Sequence, residues 1–338
     1  MGSGSPAERS TAGPGAFELH PAASPLLGAD GLRDLDDLRA AFAVIGVPYG
    51  SPYRMENVHS GAADAPRVFR ERANARFGSH SDRWDFDLGG TLFGETGLGM
   101  ADVGDVVGNP RDLPGTAAAA TEAMRAIVDG GAAPIVLGGD DSVPILCARA
   151  FAAERPVINV LQIDAHIDFR DEVDGIRDGY SSPVRRMSEM PWVGQIVQVG
   201  ARGTGSARPE DVTAALAAGN VIVPAEQVHS QGIGTVTAAM RDDLPWFVTL
   251  DVDGLDPTIA PGTSCPLPGG LDFRQANALF TAVGRDFDFA GIDIVEHFPG
   301  LDVGGTTSLT LTRLLVVLIG HAARRRATRV PEHVVAVA

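Results

Sequence analysis

The stretch PVINVLQIDAHID (residues 156–168) is a near-continuous apolar run that breaks into Asp164, His166 and Asp168. A segment apolar at both odd and even positions marks a strand buried on both faces, as in a parallel sheet covered by helices on each side. In an extended chain, residues i, i+2 and i+4 share a face, so the aspartates and the histidine point the same way. The pattern recurs twice. APIVL precedes GGDDS (138–142), and WFVTL precedes DVDGLDP (251–257). Strand C-termini of a parallel sheet share one edge, where ligands bind. Three segments far apart in sequence therefore deliver side chains to one place.

Outward from these segments the chain alternates. Strands are predicted at 41–47, 99–105, 133–138, 156–164, 195–200, 220–225, 246–253 and 289–296. Helical patterns fall at 116–131, 208–220, 271–285 and 304–326. Such alternation implies right-handed crossover units and an α/β fold, a three-layer helix–sheet–helix sandwich with a mostly parallel central sheet. No linker divides it, so residues 39–338 are expected to form a single domain. Residues 1–38, rich in Gly, Ala, Pro and Ser, are expected to be a flexible arm. Residues 50–98 show weak periodicity and are expected to be an elaborated loop that shapes a pocket.

Composition narrows the partners. The net charge of −16 disfavours nucleic acid and anionic membranes and suits cations or metals. The apolar run LLVVLIGHAA is too short to span a bilayer, and no secretory h-region is apparent. Two cysteines, Cys147 and Cys265, lack metal-type spacing, and Cys147 sits in a core-like run. A reducing cytoplasm is expected.

The acidic clusters place five carboxylates, Asp141, Asp164, Asp168, Asp251 and Asp253, with His166 at one sheet edge. Without cations such a set would repel itself. It can bridge two divalent ions and hold a water between them as a nucleophile near neutral pH. Oxygen-rich ligation points to manganese rather than zinc or copper. Asp140 and Asp256 read instead as turn residues.

These motifs together resemble the ureohydrolase (arginase/agmatinase) family, and most closely its agmatinase-like branch. The resemblance runs from GVPYGSPY (46–53) to the final helix. GGDDS is similar to the family's GGDHS element, DAHID to DAHxD, and DVDGLDP to DVDxxDP. APGTSCPLPGGLDFR (260–274) resembles the loop that follows. GIDIVEHFP (291–299) resembles the segment whose glutamate reads a guanidinium. The resemblance implies an arginase-like fold and hydrolysis of a guanidino compound to an amine and urea at two manganese ions. It implies the ligands Asp141, Asp164, His166, Asp168, Asp251 and Asp253. Asp168 is expected to bridge the ions and hold the nucleophile, and Glu296 to take the cation. A trimer or hexamer is also implied.

Two departures matter. Asp141 stands where most relatives place a ligand histidine, so the ligand charge becomes −5 against +4 for two divalent ions. The extra charge should raise the bound water's pKa, leave one metal position weak, or favour another ion such as nickel. In GYSSPVRR (179–186), Tyr180 stands where a proton-shuttling histidine is usual, and Tyr180 and Ser181 are expected to line the pocket. His297 and His59 are the candidate replacements for the shuttle. The same features support two rivals: a hydrolase of formimino or acetyl-amine substrates, and a non-catalytic, metal-poor homologue.

Overall fold

The computed structural model describes residues 17–53, 61–78, 82–205 and 207–329. Its strands are β1 (Leu19–His20), β2 (Asp30–Gly31), β3 (Phe42–Gly46), β4 (Met100–Val106), β5 (Ala133–Leu137), β6 (Ile158–Ile163), β7 (Val193–Val199), β8 (Val221–Val223), β9 (Trp246–Asp251) and β10 (Phe289–Val295). They form one sheet in the order β1-β4-β3-β5-β10-β9-β6-β7-β8, with β2 beside β4. Every pairing is parallel except β1 with β4. The last two strands in sequence insert between β5 and β6, which makes those four neighbours the middle of the sheet.

Alternate residues of each strand enter opposite layers. Phe42, Val44, Ile135, Leu161, Leu250 and Ile292 pack with Phe69, Leu279 and Leu315, from α1 (Ala65–Phe77), α8 (Phe273–Asp286) and α9 (Thr306–Arg329). Ala43, Ile45, Val136, Val160 and Phe247 pack on the other face, with Met124 and Leu146 from α2 (Leu113–Asp129) and α3 (Val143–Ala150). Shorter helices α4 (Pro183–Ser188), α5 (Pro209–Ala217), α6 (Ala225–Gln231) and α7 (Gly234–Ala239) complete the three-layer sandwich. By composition α9 is long and apolar enough to cross a membrane, but it is largely buried in the core.

All eight predicted strands are present, and the four predicted helical patterns correspond to α2, α5, α8 and α9. Two expectations need correction. Residues 17–38 are not a loose arm: β1 and β2 join the sheet, and Leu26 and Leu27 are buried. The Leu26 amide donates to Asp102 and the Leu27 amide to Asn74, so hydrogen bonds compensate for the segment's low hydrophobicity. Residues 50–98 are not loop throughout. They include α1, whose inner face carries the buried Arg70, ion-paired with Asp102 and Asp105. That charge on the inner face obscures the helical period in the sequence.

Candidate metal centre

The four central strands end side by side, and the turns that follow them carry the polar residues. After β5, Gly139 approaches the loop after β3 so closely that a Cβ there would lie 1.9 Å from the Tyr49 carbonyl oxygen. Asp140 fixes this turn: it accepts from the Ser142 amide (3.0 Å) and hydroxyl (2.5 Å) and from the Ser51 amide (3.1 Å). Burial pushes its carboxyl up to about 6, against those hydrogen bonds. Asp256 likewise accepts from Thr258 and the Gly269 amide. Both are turn residues, as the sequence suggests.

Asp141 then turns inward. Ligand atoms of Asp141, Asp164 and Asp168 lie within 4.8 Å of one another, as do those of Asp164, His166 and Asp253. Asp164 stands in both groups; Asp168, expected to bridge, stands in the first only. His166 Nδ1 lies 3.3 Å from Asp164 Oδ1 and 3.2 Å from Asp253 Oδ2. Backbone amides order the cluster: those of His166, Ala165 and Asp253 donate to Asp164, Asp253 and Asp251 at 2.6, 3.0 and 2.8 Å. Gly254 lets this turn pass β6, since a Cβ there would sit 2.6 Å from the Asp164 nitrogen. Asp251, at the end of β9, is close enough to Asp141 to raise its carboxyl.

All five carboxylates are buried. Among the described residues their only ion-pair partner is His166. Burial, then mutual repulsion, holds Asp141, Asp168 and Asp251 well above the usual carboxylate range. Burial opposes charge on His166, yet Asp164 and Asp253 outweigh it and push the imidazole up to about 11. Without a cation, this cluster retains protons. Asp141 Oδ2 is buried with no hydrogen-bond partner. An acceptor left bare among other acceptors fits a bound cation and is otherwise costly. Five carboxylates and one imidazole are a donor set for hard divalent ions.

Glu296 follows β10. Its Oε1 accepts from the Asp141 amide at 3.0 Å, and its Oε2 from the Ser264 hydroxyl at 3.3 Å. Burial, then Asp140, raises its carboxyl to about 8. Ser264 shows no signal in the sequence beyond lying in the 260–274 loop. His297 faces away from the carboxylates: its Nε2 lies 3.5 Å from Asp302 and 3.3 Å from the Ser308 hydroxyl, and its ring meets Phe69 edge-on. These contacts hold His297 on the side of Asp302 and Ser308, apart from the carboxylate cluster that Glu296 adjoins through the Asp141 amide. Tyr180 is 40% exposed and packs on Tyr53, with ring centroids 4.4 Å apart. The Tyr53 hydroxyl accepts from the Ser181 amide at 2.9 Å. Tyr53, which contacts both Tyr180 and Ser181, is a neighbour of that segment that sequence reasoning missed, because only the fold brings its loop to residues 179–181. His59 lies outside the described residues.

Comparison with known proteins agrees with this geometry. The arginase family's profile matches residues 40–320. The chain is 30% identical over 295 residues to proclavaminate amidinohydrolase of Streptomyces clavuligerus, covering 85% of this chain and 89% of that protein. The solved structure of that enzyme superposes with a TM-score of 0.77 at 29% identity, covering 89% of this chain and 97% of the other. Guanidinobutyrase of Pseudomonas aeruginosa is 29% identical over 292 residues, 85% of this chain and 87% of that one. Formimidoylglutamase of Bacillus subtilis superposes with a TM-score of 0.73 at 26% identity, covering 85% and 89%. A profile match across most of the chain, the shared sandwich and the acidic cluster at its central strand ends lead to one conclusion: the chain belongs to the arginase (ureohydrolase) family, enzymes that hydrolyse amidino carbon–nitrogen bonds.

Proposed function

We propose that the protein hydrolyses a guanidino compound to an amine and urea, using two divalent ions, manganese or nickel. The ions would be held by Asp141, Asp164, His166, Asp168, Asp251 and Asp253. When bound, they supply a water-derived nucleophile near neutral pH and polarise the group under attack. The observation that carries this reading is the convergence of five ligand-type residues, in two groups that share Asp164, at neighbouring strand ends, with Asp251 beside Asp141 and with Asp141 Oδ2 bare and buried. For His166 to ligate it must be neutral, so loading the centre releases the proton it holds.

Glu296 supplies the substrate contact. Its carboxyl, raised to about 8 with no cation beside it, ionises against a bound guanidinium, whose parallel N–H donors the carboxylate matches, and the Asp141 amide and Ser264 hydroxyl fix its orientation. Tyr180 and Tyr53 form the wall of the pocket. Burial, then Tyr53, raises the Tyr180 hydroxyl above its ordinary value. It keeps its proton at neutral pH, so its role is contact rather than proton transfer. Two free cysteines, Cys147 and Cys265, suit a reducing cytoplasm. The exposed Trp84 and Phe86 support assembly into a trimer or hexamer.

The test is urea release across guanidino compounds with cationic, anionic and neutral tails, after loading with manganese or nickel, alongside elemental analysis. Two ions per chain and urea from at least one compound are expected. Fewer than one tightly bound ion under both conditions overturns the reading. So does formamide release from a formimino substrate with no urea from any guanidino compound.

A further inference from the structure

Behind the acidic cluster runs a chain of buried amides that neither the motifs nor the proposed chemistry uses. Gln162 on β6 lies two residues before Asp164, on the same side of the strand. Its Nε2 donates to Asp164 Oδ2 at 2.8 Å and to Asp168 Oδ2 at 3.2 Å. Its Oε1 accepts from Gln198 Nε2 at 2.7 Å. Gln198 is its direct partner across the β6–β7 ladder. Gln198 Nε2 also donates to the Ile167 carbonyl at 2.8 Å, and its Oε1 accepts from Asn220 Nδ2 at 3.0 Å. All three amides are buried.

The direction of this chain is determined by its members. A backbone carbonyl only accepts, so the Gln198 group beside Ile167 is the NH2. That NH2 in turn requires the oxygen of Gln162 to face it, which turns the NH2 of Gln162 toward the carboxylates. Reversing Gln162 would set an oxygen against two carboxylates and an NH2 against an NH2. Both hydrogens of Gln162 Nε2 are therefore used, one on each of two proposed ligands. One of those ligands, Asp164, belongs to both groups of the centre.

We infer that Gln162 is a positioning residue of the proposed metal centre: one neutral amide, oriented by Gln198 and Asn220, clamps Asp164 to Asp168. Two carboxylates this close repel each other, and with Asp141 adding a fifth carboxylate the cluster tends to spread. A shared NH2 draws the pair together without adding net charge. It also sets the spacing of a ligand from the strand and a ligand from the loop beyond it. Residues that orient metal ligands in this way commonly change metal affinity 10–100-fold when altered.

The inference rests on the proposed centre, so the experiment separates the two. Full-length wild type, Gln162→Glu, Gln162→Met and Gln198→Met are loaded with cobalt(II). Affinity is read by chelator competition and ligand geometry from the visible absorption of the cobalt. Gln162→Glu keeps the volume and removes the NH2; Gln162→Met removes it without adding charge. Both are expected to bind cobalt 10–100-fold more weakly, with a shifted spectrum. Gln198→Met, which only frees Gln162 to turn, should shift the spectrum in the same direction with a smaller loss. If Gln162→Met does not fold, Gln162→Glu and Gln198→Met carry the test. Two cobalt ions in wild type, with unchanged affinity and spectrum in the folded variants, overturn the inference. Fewer than two in wild type overturn the centre itself, and the inference with it.

Discussion

Asp168 and Glu296 have φ of +40° and +58°, a left-handed conformation that favours glycine. Such backbones cost on the order of 1–3 kcal/mol each and persist where surrounding structure holds them. Here both residues turn a carboxylate into the cleft just beyond a strand end. Glu296→Gln keeps that shape and removes the charge. Losing one partner of a buried charge pair costs about 3–5 kcal/mol, so we expect turnover on guanidino substrates to fall by two to three orders of magnitude. Both ions should remain bound, as elemental analysis beside a urea assay would show. Retained turnover would remove Glu296 from substrate recognition. For Asp141, Asp141→Ala is expected to lower occupancy at one metal position, whereas Asp141→His retains both ions. Unchanged calorimetric binding in Asp141→Ala would make it a turn residue like Asp140. The five residues that the structure groups, Asp141, Asp164, His166, Asp168 and Asp253, could be singled out in the sequence because each sits in a short local motif. Gln162, Ser264 and Tyr53 could not: the partners that give them their roles, Gln198, Glu296 and Ser181, lie 32 to 128 positions away and become neighbours only through folding.

At the scale of elements, the strands were legible because burial on both faces writes a continuous apolar run. The helices α3, α4, α6 and α7 are eight residues or fewer, too short for a helical period to register. Among the longer helices, α8 begins with a reciprocal cap: the Gln275 amide donates to Asp272 Oδ1 at 2.8 Å, and the Asp272 amide to Gln275 Oε1 at 3.1 Å. Asp272→Ala should cost about 1 kcal/mol in urea denaturation without altering metal binding. The start of α9 is anchored differently. Asp302 is opposed by burial, but hydrogen bonds from His297, Ser308 and the Thr307 and Ser308 amides hold its carboxyl well below the usual range. Arg72 pairs with it at 2.5 Å. A depressed carboxyl contributes stability above the unfolded pKa, near ~4. That contribution is lost as pH falls through the folded value. Asp302→Asn should therefore destabilise by on the order of 3 kcal/mol at pH 7. The gap from wild type should narrow steadily below pH ~4. A gap independent of pH would assign the loss to packing alone.

For the whole molecule, the concentration of carboxylates makes stability depend on the bound ions. A ligand that binds only the folded state stabilises by about 2.7 kcal/mol at one hundred times its Kd. Chelation should lower the denaturant midpoint accordingly. In the metal-free protein Asp141, Asp168 and Asp251 keep protons that the unfolded chain gives up. Raised carboxyls lose stability as pH climbs past the ordinary carboxylate range. Metal-free protein should therefore be less stable at pH 8 than at pH 5.5, and ions should close most of that difference. Equal slopes with and without ions would mean that the cluster is not their site. The sheet order also bears on how the chain reaches its native state. The strands that separate β5 from β6 are β9 and β10, the last two of the described strands to be synthesised. A nascent chain ending at residue 240 already holds Asp141, Asp164, His166 and Asp168, yet nothing fills the gap between their strands. The middle of the sheet and two of the six proposed ligands, Asp251 and Asp253, must wait, with apolar strand edges open, for pairings between residues 87 to 157 positions apart. Pairings that distant form slowly and leave open edges exposed to aggregation. The same insertion that gathers the centre makes synthesis of residues 246–295 the step on which folding depends.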